Sequence, residues 1–296
     1  MSMPLSCHPM DVLRTAVSFI GAQDPDAYTR DSEHVRHSAL ELMAKLPTIV
    51  ALDIRRRQGK GYIEPSRKKG FAENFLWMVF GDEEGSPANS RSDIEAFDKS
   101  LILYAEHSFN ASTFTGRVVT STMSDTYSAV VAAIGALKGP LHGGANEAVM
   151  HNMLEIDDPS KAEAWAKEKL ANKDLIMGFG HRVYKKGDSR VPTMEAAFKE
   201  LAEEHGQTKW VEIYDILAKT MEENTSIKIK PNLDFPAGPA YYILGFPIEF
   251  FTPIFVMARI TGWTAHIVEQ NENNSLIRPL SAYVGEEQRS VPPRSF

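Results

Sequence analysis

The sequence predicts an all-α protein with two helical domains. Apolar residues recur at the 3.6-residue spacing of helices in most segments of the chain. No segment shows the alternation of period two that a multi-stranded sheet would require. At 296 residues, 43% of them hydrophobic, the chain is long enough to bury a large core and to divide into two domains.

The first half of the chain has the pattern of a series of helices. Apolar periodicity predicts helices over residues 10–21, 34–51, 71–80 and 124–138. Pro47 lies within the second of these and predicts a kink or break, because proline cannot continue the hydrogen-bond ladder. A further apolar helix face is expected over 101–109, with His107 among its residues. The basic runs 55–57 and 67–69 are interpreted as solvated charges in preference to phosphate ligands.

The second half continues the helical pattern. Helices are predicted over residues 155–171, 193–204, 210–223 and 250–269. The apolar run 246–268 is long enough to span a membrane, but it contains Glu249, Arg259 and His266, which are costly in lipid. We therefore expect this run to form a buried core helix.

Composition excludes several classes of protein. A net charge of −7 argues against nucleic-acid binding, which needs a basic face. The single cysteine, Cys7, excludes an internal disulfide framework and fits a reducing compartment. No N-terminal stretch has the pattern of a signal peptide, so a cytoplasmic protein without a membrane anchor is expected. His34 and His37 lie three apart, but two histidines without a third ligand are a weak metal motif, and no metal is expected.

Three ionisable residues occur in glycine- or proline-rich turns. His142 lies in GPLHGG at 139–144, directly before a helix predicted to begin near Ala145. Unpaired N–H groups at a helix start disfavour a cation, so His142 is expected to be neutral and able to donate to an oxyanion. His181 lies in GFGHRVY, and Asp234 lies in a PNLDFPAG loop. Two histidines and a carboxylate on such loops form an acid–base set suited to carbon–carbon bond chemistry. For His142 alone, a glycine-rich connection with an incidental histidine remains an alternative.

These three motifs, in this order, resemble the citrate synthase family. The segments 231–242 and 251–266 are most similar to its bacterial 2-methylcitrate synthase branch. The resemblance covers nearly the whole chain and implies a two-domain helical fold. It assigns residues 1–140 and 247–296 to a large, dimer-forming domain. Residues 141–246 would form a smaller mobile domain that carries the catalytic loops.

The resemblance also implies roles for the site residues. Asp234 would be the base, His142 the donor to the thioester carbonyl, and His181 the group that polarises the keto carbonyl of oxaloacetate. The carboxylates of oxaloacetate would be bound by four residues: His107, Arg190, Arg259 and Arg278. Arg278 would reach the site of a neighbouring subunit, which implies a homodimer. Without the resemblance, His107 would be interpreted as a core histidine and each arginine as an ordinary ion-pair partner.

On the coenzyme A side, the resemblance implies backbone contacts from five consecutive residues: Leu175, Ile176, Met177, Gly178 and Phe179. No dinucleotide or nucleoside-triphosphate motif is present. No tightly bound cofactor is expected, since the acyl-CoA thioester is itself a substrate.

The expected activity is condensation of propionyl-CoA with oxaloacetate and water to give 2-methylcitrate and CoA, and also acetyl-CoA to citrate. One alternative is an enzyme that makes primarily citrate. Family members normally carry an N-terminal segment before the position that matches residues 6–11, and we expect this chain to lack it. A second alternative is therefore a truncated relative that binds substrate but is weakly active.

Overall fold

The computed structural model describes residues 3–81, 83–181, 183–184, 186–225 and 229–291. Within these ranges the chain forms twelve α-helices and two short 3-10 turns. The helices are α1 Pro9–Gln23, α2 Ser32–Arg57, α3 Phe71–Phe80, α4 Arg91–Tyr104, α5 Ala111–Ser121, α6 Thr126–Leu137, α7 Ala145–Ile156, α8 Pro159–Asn172, α9 Val191–Glu204, α10 Lys209–Asn224, α11 Asp234–Ile243 and α12 Phe251–Glu272. The β-type pairing in the described residues is one isolated bridge between Phe179 and Pro231. The all-α prediction is confirmed.

Local sequence signals explain where several helices begin. The side chain of Asp31 accepts the N–H groups of the first turn of α2, and Asn110 caps α5 in the same way. Asp158 caps α8, with Pro159 at the first helical position, where its missing N–H costs nothing. These caps satisfy backbone donors that would otherwise be unpaired.

Of the kink or break predicted at Pro47, the break is wrong, because α2 continues through it to Arg57. The kink stays a prediction. Pro47 is buried there, between Leu46 and Val50 in the core, so packing offsets the lost hydrogen bond. Helix α2 packs against α3 on one side and against α12 on another. Tertiary contact therefore overrides the local signal of the proline.

The basic run at the end of α2 has a structural role, and its interpretation as solvated charges is wrong. The guanidinium of Arg55 is buried and donates to the carbonyl of Val79 at 2.8 Å. Arg56 and Arg57 both donate to the buried carboxylate of Asp53, at 2.7 Å and 2.9 Å. These pairs anchor the N-terminal segment, because the same two arginines also bind backbone carbonyls of residues 3–7.

The helices pack in two groups that meet at a cleft. Helices α1, α2, α4, α5 and α6 pack on α12, and α3 packs on α2 and α4. Helices α7 to α11 pack mainly on one another. Contacts of α4 with α9 and of α7 with α12 join the groups. Helix α12 is buried along most of its length, so the expectation of a core helix is confirmed. Among the described helices none is long and apolar enough to cross a membrane.

Candidate active site

A cavity of about 600 Å³ opens at the junction of the two helix groups. Its walls come from the α4–α5 connection, the turn before α7, the glycine-rich segment 175–181 and the start of α11. The cavity brings together most of the predicted site residues: His107, His142, residues 175–179, His181, Arg190, Asp234 and Arg259. Tyr104 and Phe255, which the sequence did not single out as site residues, also line it.

His142 is held as a neutral hydrogen-bond donor. Its Nε2 accepts the backbone N–H of Ser112 at 3.3 Å and lies 2.8 Å from the Ser112 hydroxyl. That hydroxyl is fixed in turn by the indole N–H of Trp263 at 3.0 Å. Burial, and then the charge of Arg259, lowers the pKa of His142 to about 4. Because Nε2 accepts a backbone proton, the hydrogen of the neutral ring is assigned to Nδ1, as a donor to the cavity.

His181 is oriented in a complementary way. Its Nδ1 accepts the N–H groups of Val183 at 3.0 Å and of Tyr184 at 3.3 Å. The ring proton is therefore assigned to Nε2. Burial, and then the nearby His107 ring at 4.9 Å, lowers the pKa of His181. Two neutral histidines thus line one cavity, each with one nitrogen occupied by backbone N–H groups.

Asp234 is the first residue of α11, so its predicted place in a loop is wrong. The Asn232 side chain accepts the Asp234 N–H at 3.1 Å, just before the helix. One carboxylate oxygen, Oδ1, accepts the Tyr104 hydroxyl at 2.6 Å. Burial raises the pKa of Asp234 to about 6, despite the opposing effects of Tyr104 and the arginines. A carboxylate with this pKa can exchange a proton near neutral pH.

His107 lies in the connection between α4 and α5, so its predicted place on a helix face is wrong. Helix α4 ends at Tyr104 because the Ala105 carbonyl accepts the Gly262 N–H from α12 at 3.1 Å. Burial, and then Arg190, lowers the pKa of His107. Its buried Nε2 has no hydrogen-bond partner among the described residues. Such a group suits a ligand bound in the cavity.

Arg259 is a buried cation that faces the cavity. Its side chain is only 1% exposed, and its Nε donates to the Tyr104 carbonyl at 2.6 Å. Within the described part of the chain, its Nη1 has no hydrogen-bond partner. Burial, and then the nearby Arg190, lowers the pKa of Arg259 to about 10. A buried guanidinium with an open donor matches a carboxylate ligand.

Arg190 is paired with Asp188, a residue that the sequence reasoning missed. Asp188 accepts Nε and Nη2 of Arg190 at 3.0 Å and 2.7 Å, and also the Leu233 N–H at 3.2 Å. Burial alone would raise the pKa of Asp188, but hydrogen bonds from Arg190 hold it below its usual value. An acid two residues before a predicted binding arginine is the signal that could have identified it. Asp188 therefore ties Arg190 to the start of α11.

Arg278 is the predicted site residue that the structure does not bring to this cavity. It is exposed, in the extended segment after α12. The neighbouring Ile277 N–H donates to the Ser121 hydroxyl at 3.0 Å, which fixes the segment beside the end of α5. The role of Arg278 in the site of a second subunit remains a prediction.

The segment 175–179 lines the cavity as an irregular strip. Gly178 has φ +87°, and a Cβ there would lie 2.7 Å from Val149 and 2.9 Å from Phe235. Only glycine fits, because both the backbone conformation and the close packing exclude a side chain. The Gly178 carbonyl accepts the Asn232 N–H at 2.9 Å, which links this strip to the start of α11. Contact with coenzyme A stays a prediction for these five residues.

The described residues contain no group of three or more potential metal ligands. The groups of the cavity that can carry a proton are three histidines, the Asp234 carboxylate and the Tyr104 hydroxyl. With the buried Arg259 and the partly buried Arg190 beside them, they can bind a dianion and move a proton next to it.

Comparisons with known proteins agree with this chemistry. The family described as "Citrate synthase, C-terminal domain" matches residues 1–280. The chain is 64% identical to 2-methylcitrate synthase 1 of Corynebacterium glutamicum, over 99% of this chain and 77% of that relative. It is 59% identical to a citrate synthase of Mycolicibacterium smegmatis, over 98% of this chain and 75% of that relative.

The fold also matches a solved structure of a ligand complex. That structure is the ternary complex of carboxymethyl coenzyme A and oxaloacetate with citrate synthase from Thermoplasma acidophilum. The TM-score is 0.89 at 34% sequence identity, covering 98% of this chain and 76% of the other.

Proposed function

The chain belongs to the citrate synthase family, and on this premise we propose that its cavity condenses propionyl-CoA with oxaloacetate and water to give 2-methylcitrate and CoA. The observation that carries the proposal is that one cavity holds both a neutral His142 donor and the Asp234 carboxylate, whose pKa is raised to about 6. No step of the reaction needs a tightly bound cofactor, because the thioester is a substrate.

Oxaloacetate binding is assigned to the basic end of the cavity. The open Nη1 of Arg259 and the unpartnered Nε2 of His107, both judged within the described residues, are donors for its carboxylates. Arg190, held by Asp188, supplies further positive charge. A dianion bound here would offset the cost of burying Arg259 and its repulsion by the nearby Arg190.

The acyl-CoA is then activated by proton transfer. Asp234 removes a proton from the carbon next to the thioester carbonyl, and the Nδ1–H of His142 donates to the oxygen where charge develops. A neutral donor suits this role, since its proton is not lost to the developing enolate.

Bond formation follows. The Nε2–H of His181 donates to the keto oxygen of oxaloacetate and so polarises that carbonyl. The enolate carbon attacks the keto carbon, and the Nε2 proton passes to the new alkoxide. Water then hydrolyses the thioester of the condensed product, which releases CoA and the tricarboxylate. Backbone groups of residues 175–179 are assigned to coenzyme A, whose acyl end must lie beside Asp234.

The pocket is expected to discriminate only weakly between propionyl-CoA and acetyl-CoA. One methylene changes binding by about 1–3 kcal/mol, so acetyl-CoA is expected to be a second substrate. Relatives of similar identity are named 2-methylcitrate synthase and citrate synthase. An enzyme that makes primarily citrate is therefore the alternative.

The test is thiol release from propionyl-CoA and acetyl-CoA, each with and without oxaloacetate, with products identified by mass spectrometry. We expect oxaloacetate-dependent release from both, with the higher kcat/KM for propionyl-CoA. A higher value for acetyl-CoA would favour the citrate synthase alternative. Absence of release by folded protein would favour a relative that only binds substrate.

We also propose the domain division at 140/141 and 246/247, a cytoplasmic location and a homodimer. The division agrees with the two helix groups, and closure of the smaller group would exclude water from the enolate. Small-angle scattering that is unchanged by oxaloacetate would contradict closure.

Sedimentation of the chain as a monomer would contradict the dimer.

A mixed dimer tests whether Arg278 acts across the subunit interface. Each parent variant, Asp234→Asn and Arg278→Ala, is expected to be nearly inactive alone. Co-expressed and purified through two different tags, the heterodimer contains one site with both wild-type groups, so it should recover about half of wild-type activity. If Arg278 serves its own subunit, both sites stay defective and the heterodimer remains inactive.

A further inference from the structure

We propose that Tyr104 is a positioning residue for proton abstraction: its hydroxyl holds Oδ1 of Asp234, so that Oδ2 takes the proton from the substrate. This inference rests on the proposed function of the same cavity. Tyr104 is the last residue of α4 and Asp234 the first of α11, so one hydrogen bond joins the two helix groups at the base.

The contact itself is short and protected. The hydroxyl of Tyr104 donates to Oδ1 of Asp234 at 2.6 Å, the length of a charge-assisted hydrogen bond. Tyr104 is 1% exposed, so water competes little for either partner. A base whose Oδ1 is held in this way has one preferred orientation for Oδ2, which is what a proton transfer requires.

Tyr104 is itself fixed from two further sides. Its backbone carbonyl accepts Nε of Arg259 at 2.6 Å, and its ring lies 4.2 Å from the ring of Phe255. The Arg259 guanidinium packs over that same Phe255 ring, 4.8 Å from its centroid. Tyr104 therefore contacts both Asp234, the base, and Arg259, the cation assigned to oxaloacetate. The groups that bind the two substrates are thus held by the same residue.

The charges around the base agree with a donor role for Tyr104. Arg190, at the start of α9, and Arg259, on α12, both act on Asp234. Asp188 acts on it from the loop before α9. Burial raises the pKa of Asp234, while Tyr104 and then the two arginines act to lower it. Burial, and then Asp234, raises the pKa of Tyr104 well above its usual value. The phenol therefore keeps its proton and does not compete as a base.

The experiment is Tyr104→Phe, which removes the hydroxyl and keeps the ring. We expect kcat to fall roughly tenfold to hundredfold, the range for loss of a hydrogen bond to a charged group. Because the hydroxyl lowers the pKa of Asp234, its removal raises that pKa. The acid limb of kcat/KM for propionyl-CoA should therefore move to higher pH, while the KM for oxaloacetate changes by less than about threefold.

Tyr241→Phe is the matched control. Tyr241 lies on α11 and donates to the Ser100 hydroxyl on α4 at 3.0 Å, so it joins the same two helices without touching the base. We expect its kcat and acid limb to match wild type. An unshifted acid limb in Tyr104→Phe, or an equal shift in Tyr241→Phe, would overturn the proposal. An inactive wild-type chain would instead overturn the proposed function.

A second variant covers the case in which Tyr104→Phe does not fold. Replacement of Tyr104 by 3-fluorotyrosine keeps the ring and hydroxyl but makes the hydroxyl a stronger donor. The stronger hydrogen bond should stabilise the Asp234 carboxylate, so the acid limb should move to lower pH, opposite to Tyr104→Phe. An acid limb at the wild-type position in this variant would also overturn the proposal.

Discussion

Asp234→Asn should lower kcat by roughly 10²–10⁴-fold, the range expected when a positioned general base is lost. The amide cannot take the substrate proton, but its oxygen can still accept the Tyr104 hydroxyl. Oxaloacetate binding should therefore stay within about threefold of wild type, because Arg259 and His107 are unchanged. Isothermal titration calorimetry measures the binding, and thiol release measures the turnover.

The same substitution should stabilise the folded chain at neutral pH. The pKa of Asp234 is raised to about 6 in the folded state, above its ordinary value of 3.8. The folded state therefore holds a proton that the unfolded state releases, and the cost of the charge grows as pH rises through this window. Above about pH 6, Asn should stabilise by about 1–2 kcal/mol after allowance for solvent screening.

Thermal unfolding at two pH values checks this linkage. The gain in Tm should be present at pH 8 and small at pH 4, where the carboxyl is neutral in the folded state and only partly ionised in the unfolded state. A Tm gain that is equal at both pH values would contradict the assigned pKa. Loss of oxaloacetate binding together with turnover would indicate that Asp234 has a structural role.

Arg259→Met should raise the KM for oxaloacetate by roughly 10²–10³-fold, because truncation at a buried charged contact costs about 2–5 kcal/mol. The stability of the unliganded protein should be unchanged or increased. Burial and Arg190 already lower the pKa of Arg259 to about 10, so its charge is unfavourable until an anion binds.

Arg55→Met provides the matched control, because Arg55 is also a buried arginine. Its guanidinium is used within the fold, since it donates to the carbonyls of Gly61 and Val79 away from the cavity. This variant should lose stability and leave the KM for oxaloacetate unchanged. If Arg259→Met instead lost as much stability as Arg55→Met without a change in KM, Arg259 would be structural.

The sequence predicted the parts of the site that depend on local signals. His142 and His181 lie beside glycines that define tight turns, so their accessibility and surroundings follow from neighbouring residues. The start of α7 near Ala145 and the end of α3 at Gly81 follow from similar signals. Family resemblance supplied the roles, which the residues alone left open.

Other features depend on tertiary contacts that periodicity does not encode. His107 leaves the helix because α12 takes the Ala105 carbonyl as an acceptor. Tyr104 fits the apolar pattern of α4, so nothing in that pattern indicates that its hydroxyl meets Asp234. Likewise, the pairing of Asp188 with Arg190 and Leu233 needs two separate segments to meet.

The most direct test of Asp234 as the base of the proposed condensation is thiol release from propionyl-CoA by wild-type protein and Asp234→Asn, measured side by side with and without oxaloacetate. We expect release by wild type only when oxaloacetate is present, and we expect this release to be lost as pH falls through about 6. We expect almost none by the variant at any pH. Release by both proteins at similar rates, or release that does not need oxaloacetate, would contradict it.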